Sequence, residues 1–226
     1  MNFDNRADAG RKLAGQLKRY VNEKNVIVLG LPRGGVPVAF EVASALNAPL
    51  DVFVSRKLGV PGQEELAFGA ISSGGVRVLD PEIVQAAAVS DLQIERITAR
   101  EKVELERREA TYRGGRPPLE IAGATVILVD DGVATGSSVR AAISALRQMK
   151  PQRIVLATPV IPAATYQRLR TEVDDLVCVV MPEGFYGIGQ FYEDFSQVTD
   201  EEVINLLRRG AQPPVQSTQE GRRESA

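Results

Sequence analysis

Val126-Ile-Leu-Val-Asp-Asp-Gly-Val-Ala-Thr-Gly-Ser-Ser-Val139 is the stretch on which fold and chemistry both turn. Its first four residues are continuously apolar, the pattern of a short strand buried on both faces of a parallel sheet. The strand ends on two carboxylates, Asp130 and Asp131. A loop of small residues follows and runs into a helix that begins at Ser137. Gly132 and Gly136 let the backbone turn tightly and approach a ligand closely. Thr135, Ser137 and Ser138 supply hydroxyls, and the first helical turn supplies amides that lack intrahelical acceptors. Amides, hydroxyls and helix dipole together make a phosphate cradle. The adjoining carboxylates can accept bonds from sugar hydroxyls or hold hydrated magnesium. The combination suits a sugar phosphate. A plainer role, in which Asp131 and Ser137 only cap the helix, is open at this level.

Outward from this stretch, strands and helices alternate. On the N-terminal side, Asp4 or Asn5 caps a helix reaching about Tyr20. Val26–Leu29 is a strand, Gly30–Gly35 a loop, Val36–Leu46 a helix and Leu50–Val54 a strand. Ser55–Glu65 is charged and carries Gly59, Pro61 and Gly62, which predicts a mobile loop. Leu66–Ile71 and Val76–Leu79 flank Ser72–Gly75 as a hairpin. Asp80 or Pro81 starts a helix, and Ser90 with Gln93 forms a capping box for a long charged helix to about Arg113. Beyond the acid pair come a helix over Ser137–Met149, a strand over Arg153–Thr158, a helix over Pro162–Val173 and a strand over Leu176–Val180. Thr199 with Glu202 opens a last helix to about Arg209. The expected organisation is one domain over residues 1–209 with a core at about 25–180, followed by a tail, 210–226, whose composition predicts disorder. The alternation implies an α/β fold with a doubly wound, mainly parallel sheet. Ligands bind such sheets beyond the carboxyl ends of the strands. Gly30–Gly35 and Asp130–Ser138 therefore belong to one candidate site.

Composition narrows the chemistry. The chain has 226 residues, no histidine and a single cysteine. Ser-His-Asp and Cys-His catalysis and histidine-based zinc sites are therefore excluded. Metal chemistry must use hard oxygen ligands, as magnesium, manganese or calcium do. Cys178, in the apolar run Leu176–Val180, reads as a small buried hydrophobe. With 27 basic and 29 acidic residues there is no basic excess of the kind that marks nucleic-acid binding. No apolar run reaches the length of a membrane span, and the polar start Met1–Ala9 does not read as a signal peptide. The expectation is a cytoplasmic chain with no nucleic-acid or membrane partner. A Walker B reading of Leu128–Asp131 needs a Gly-x-x-x-x-Gly-Lys-Ser/Thr loop, which the sequence lacks. A dinucleotide fingerprint at Gly187-Ile-Gly189 fails because Tyr192 stands where the third glycine belongs.

Residues 126–139 resemble the phosphoribosyl pyrophosphate signature of type I phosphoribosyltransferases. Gly30-Leu-Pro-Arg-Gly-Gly35 is similar to that family's pyrophosphate loop. The resemblance covers roughly Val26–Val180 and implies the type I phosphoribosyltransferase fold, with a small hood built from the termini and residues 181–198 and a flexible hairpin loop within Ser55–Gly75. It implies transfer of 5-phosphoribosyl from phosphoribosyl pyrophosphate to a nitrogen acceptor, a nucleobase, with magnesium as cofactor held at Asp130 and Asp131. Those acids would bind the ribose hydroxyls. Gly132, Val133, Ala134, Thr135, Gly136, Ser137 and Ser138 would surround the 5′-phosphate. Pro32, Arg33, Gly34 and Gly35 would hold pyrophosphate, with Asp130, Asp131 and Arg33 as the catalytic set. Arg56 and Lys57 can reach the pyrophosphate or stand as solvated surface charge. Ala134 occupies a position where members acting on 6-oxopurines carry aspartate, and so resembles the adenine and uracil branches. Phe185 and Tyr186, in the aromatic segment Met181–Phe195, either stack on the acceptor base or pack beneath a loop. The charged helix over 91–113 reads as a solvated face, with a dimer contact or part of the hood as the alternative. A homodimer fits the family. A sensor or regulator that binds phosphoribosyl pyrophosphate without turnover is the competing use of the same fold.

Overall fold

A computed structural model of the chain describes residues 2–210. The tail expected to be disordered lies outside the described residues, apart from Gly210. In chain order the elements are α1 (Arg6–Gln16), β1 (Val26–Gly30), α2 (Gly35–Leu46), β2 (Leu50–Val52), β3 (Ser55–Val60), β4 (Gln63–Ser72), β5 (Val76–Leu79), α3 (Pro81–Ala86), α4 (Asp91–Arg113), β6 (Thr125–Val129), α5 (Ser137–Gln148), β7 (Arg153–Val160), α6 (Ala163–Leu169), β8 (Asp175–Val180) and α7 (Asp200–Gly210).

The central sheet has five parallel strands in the order β2-β1-β6-β7-β8. Its strands are apolar on both faces, and the two faces feed different cores. Val26, Val28, Ile127, Val129, Val155 and Ala157 meet α1, α2 and α7 on one side. Ile27, Leu29, Val126, Leu128, Ile154 and Leu156 meet Val139, Ile143 and Leu146 of α5 on the other. This is the alternation of a strand expressed as two hydrophobic layers. The chain winds outward from β1 to β2, then returns to lay β6 on the opposite flank of β1. The sheet's topological switch point therefore lies between β1 and β6, where such folds place their ligands. No helix among the described residues is long and apolar enough to cross a membrane.

The main departure from expectation is Ser55–Glu65. It is not a loop: β3 and the start of β4 form an antiparallel ribbon, extended by β5 into a three-stranded sheet. Leu58 and Val60 alternate inward, which is strand patterning. Gly59 sits at a register irregularity, where a Cβ would come within 2.8 Å of the Glu64 carbonyl. The glycine signals a bulge rather than a loop. The long helix α4 also differs from a solvated face. Its capping box, Ser90 with Gln93, is present as the spacing predicts. The helix buries Ile94, Leu105 and Tyr112, and its last turn holds a buried ion pair between Arg113 and Asp51 at 3.1 Å. Cys178 is half-buried rather than fully enclosed, and burial pushes its thiol up.

Candidate functional site

The loop after β1 and the loop after β6 meet at the switch point, and glycines make the meeting possible. Gly34 has ordinary helical angles, φ −61° and ψ −33°, so glycine is needed there for room rather than for conformation. A Cβ on Gly34 would overlap the Asp131 carboxylate, lying 2.6 Å from its Cγ. A Cβ on Gly35 would lie 2.7 Å from the Val129 carbonyl and 2.9 Å from Asp130 Cα. The Pro32–Arg33 peptide bond in this loop is cis.

The acid loop is pinned from outside. The Val133 amide donates to the Val160 carbonyl at 2.9 Å, and Val133 is buried. From α6, the Thr165 hydroxyl donates to the Ala134 carbonyl at 2.8 Å and Arg168 to the Thr135 carbonyl at 2.6 Å. Gly136 takes φ +80°, a left-handed conformation suited to glycine, and no side chain caps the start of α5 behind it. Among the first-turn amides of α5, that of Ser137 meets a side chain, the Thr135 hydroxyl at a long 3.5 Å. A cavity of 180 Å³ opens here, lined by Asp130, residues 132–139 and Ile188. The Thr135 and Ser137 hydroxyls stand 3.2 Å apart at its rim. A second cavity, of 170 Å³, shares Asp130 and Ser138 with the first and is lined as well by Leu31, Pro32, Val54, Ser55 and Arg108.

The two acids part company. Asp130 borders both cavities, and its carboxylate accepts the Asp131 amide at 2.9 Å. Asp131 is buried, and its Oδ2 accepts Nε–H of Arg6 at 2.7 Å. Arg6 also donates to the Ser196 carbonyl at 2.7 Å and lies 4.0 Å over the Phe195 ring. The Asp131 carbonyl accepts the Tyr192 hydroxyl at 2.6 Å. Burial raises the carboxyl of Asp130 well above the usual range, and the adjacent Asp131 charge adds to it. Burial raises Asp131 as well, against the opposing pull of Arg6. Two adjacent carboxylates with one guanidinium leave the pair short of positive charge.

The other expected site residues are scattered more widely. Arg33 lies 3.8 Å from Asp200 at the start of α7, and Tyr112 donates to the same carboxylate at 2.8 Å. Arg56 is committed to Glu101 of α4 at 2.6 Å, so it does not stand as a solvated charge. Lys57 is exposed and lines a larger cavity of 640 Å³ between the ribbon and α5, which touches the acid loop at Ser137. Phe185 stacks on Phe191, centroids 6.0 Å apart, beside Phe3 and Tyr192. Tyr186 is 97% exposed. The Phe3 amide donates to the Phe191 carbonyl and the Glu193 amide to the Phe3 carbonyl, so the N-terminal segment is stitched to the aromatic segment. The sequence reading missed Arg6, Arg108 and Tyr192. Arg6 partners an acid 125 positions away, which no local spacing signals.

Fold and site together define an α/β protein of the type I phosphoribosyltransferase fold. The chain belongs to the phosphoribosyltransferase family: residues 2–196 match the model described as the phosphoribosyl transferase domain. It is 45% identical over 207 residues to "Putative phosphoribosyl transferase Rv0571c" of Mycobacterium tuberculosis, covering 92% of this chain and 46% of that one. The chain thus spans about half the length of this curated relative. It is 40% identical over 148 residues to "Bifunctional protein PyrR" of Chloroflexus aurantiacus, covering 60% and 71% of the two chains. Among solved structures it is similar to TT1426 of Thermus thermophilus. That match has 42% identity and a TM-score of 0.83, over 94% of this chain and all of that one.

Proposed function

We propose that the chain transfers 5-phosphoribosyl from phosphoribosyl pyrophosphate to a ring nitrogen of a nucleobase and releases pyrophosphate. The observation that carries this reading is the junction at the switch point, where an uncapped helix start, a carboxylate bordering two cavities and a glycine-paired loop converge. The amides and hydroxyls of Thr135–Ser138 hold the 5′-phosphate. Asp130 accepts bonds from the ribose hydroxyls, and the Gly34 amide faces the diphosphate, while the Gly35 amide closes the loop on the Leu31 carbonyl at 3.0 Å. In the reaction the bond from the anomeric carbon to the pyrophosphate oxygen breaks, and pyrophosphate leaves with the electron pair. The acceptor nitrogen forms the new bond and releases its proton to solvent. The transition state has oxocarbenium character, as in glycoside transfer. The chain needs no covalent nucleophile for this; it positions the reactants and stabilises the departing charge.

Magnesium fits the donor set in one way. Among the described residues no group of three or more acidic or cysteine side chains is gathered to cage an ion. The acid pair, short of positive charge, suits an ion held chiefly by substrate oxygens and water, with Asp130 as its protein contact. When bound, such an ion would neutralise charge on the diphosphate. The aromatic segment 181–195 would border the acceptor, with exposed Tyr186 free to lie on a base. A cytoplasmic setting suits the single, unpaired cysteine.

Phosphorus NMR of the chain with magnesium, phosphoribosyl pyrophosphate and single nucleobases, adenine and uracil first, tests the proposal. Pyrophosphate and a new nucleotide signal, dependent on one base, are expected. Ligand signals that broaden without turnover for any base would replace transfer with a sensor role. Signals that do not change would remove the reading.

A further inference from the structure

We infer that Arg108, towards the C-terminal end of the charged helix α4, is a binding residue for the diphosphate end of the sugar ligand. The inference rests on the phosphoribosyltransferase reading above and deepens it. The 170 Å³ cavity beside Asp130 is where a group leaving the ribose would lie, since Asp130 borders this cavity and the phosphate cradle alike. The cavity presents Asp130, the Ser55 and Ser138 hydroxyls and, among the described residues, one cation, Arg108. The cations that sequence spacing nominates are directed elsewhere: Arg33 toward Asp200, Arg56 onto Glu101, and Lys57 into the separate cavity between the ribbon and α5.

The way Arg108 is held supports a recognition role. Its Nε donates to Glu104 Oε1 at 2.8 Å, and that bond fixes the plane of the guanidinium. Glu104 is itself gripped from outside by Arg107, at 2.8 and 3.0 Å. No hydrogen bond from either terminal nitrogen of Arg108 to another described residue is formed, and the side chain is 34% exposed. A guanidinium tethered through Nε and open at its terminal nitrogens presents a two-donor fork that matches two phosphate oxygens. With a hydroxyl-binding carboxylate on one wall and this fork on another, the cavity fits a sugar diphosphate better than a sugar monophosphate.

The test uses the full chain with magnesium and two simple probes, inorganic pyrophosphate and ribose 5-phosphate, in titration calorimetry. Arg108→Gln is expected to weaken binding of pyrophosphate, and of phosphoribosyl pyrophosphate, by about 10- to 100-fold, the loss of a charged hydrogen-bonding pair. Ribose 5-phosphate, which lacks the leaving group, should keep its affinity within about twofold, since no charged contact to it is lost. Lys102→Gln, which removes an exposed α4 charge that stands 3.7 Å from Glu106 and does not line the cavity, should leave both probes bound as in the wild type. Arg108→Gln binding pyrophosphate with wild-type affinity would overturn the inference, as would equal weakening of both probes. If Arg108→Gln does not fold, Arg108→Lys decides: selective weakening of pyrophosphate supports the fork, and unchanged binding overturns it. A wild-type chain that binds neither probe would remove the proposed function itself, which is a different result from an unaffected variant.

Discussion

Replacing Arg6 with methionine removes the cation that touches a carboxylate buried at the centre of the site. The Arg6 and Asp131 side chains are 12% and 11% exposed, with Nε and Oδ2 2.7 Å apart. Such a pair adds little over an apolar replacement of both partners, but breaking it leaves one charge buried and uncompensated, at a cost of about 3–5 kcal/mol. For a domain of this size that corresponds to a fall in melting temperature of roughly 6–20 °C. Asp131→Asn keeps a neutral acceptor against Arg6 and should cost less, about 1–3 kcal/mol. The double variant should be more stable than Arg6→Met alone, because the stranded charge is gone. The pH dependence has a definite sign. Without Arg6, burial holds the folded pKa of Asp131 above its unfolded value. The unfolded state then binds fewer protons, and stability falls as pH rises through that window. The deficit of Arg6→Met relative to wild type should therefore be smaller near pH 4 than at pH 7. Urea denaturation of the four chains at both pH values, without ligand or magnesium, measures this. A cost for Arg6→Met below about 1 kcal/mol, the range of an exposed pair, would refute the reasoning. So would a double variant no more stable than Arg6→Met.

Gly34→Ala places a methyl group against the Asp131 carboxylate and should cost about 1–3 kcal/mol of stability through overpacking; titration with phosphoribosyl pyrophosphate should show weakened binding, and a variant indistinguishable from wild type in both respects would mean that the two loops are not in close contact. Gly136→Ala meets both an unfavourable φ of +80° and neighbours at 3.2 and 3.3 Å on Leu169 and Thr165. It should lose about 1–2 kcal/mol and bind ribose 5-phosphate less tightly, read by thermal unfolding and calorimetry. Burial, then the bond to Asp200, pushes the Tyr112 phenol up to about 12. The unfolded phenol ionises first, so stability should fall as pH rises from about 10 towards 12, and Tyr112→Phe should flatten that part of the melting-temperature profile.

Much of this architecture is written locally. The apolar runs at Val26–Leu29, Thr125–Val129 and Leu176–Val180 mark strands because a sheet covered on both faces tolerates little else. Ser90 with Gln93 announces α4 because the cap and its reciprocal bond lie within four residues. Ser55–Glu65 misleads because glycine and charge punctuate loops and bulged edge strands alike; the alternation of Leu58 and Val60 is the signal that separates them. Arg107 and Arg108 are equivalent in sequence, both within reach of Glu104, and only the packing of α4 against the ribbon and α7 turns one outward and the other towards the cavity. Arg6 has no local signal at all, since its meaning is fixed by an acid on a distant strand end.

The acid pair shows how strand geometry divides two identical side chains between two tasks. Along β6, Val126 and Leu128 point to the α5 layer, while Ile127 and Val129 point to the layer of α1 and α2. Continuing that alternation past the strand end sends Asp130 to the α5 side and Asp131 to the α1 side. The contacts agree. Asp130 borders the cavity at the start of α5, whereas Asp131 meets Arg6 from α1 and the backbone of Gly34 leading into α2. The two adjacent acids at the end of β6 are thus divided between the two layers of the sheet. Asp130, on the α5 side, borders both cavities. Its neighbour Asp131, paired with Arg6 and bonded through its carbonyl to the Tyr192 hydroxyl, ties the acid loop to the N-terminal helix and to the aromatic segment.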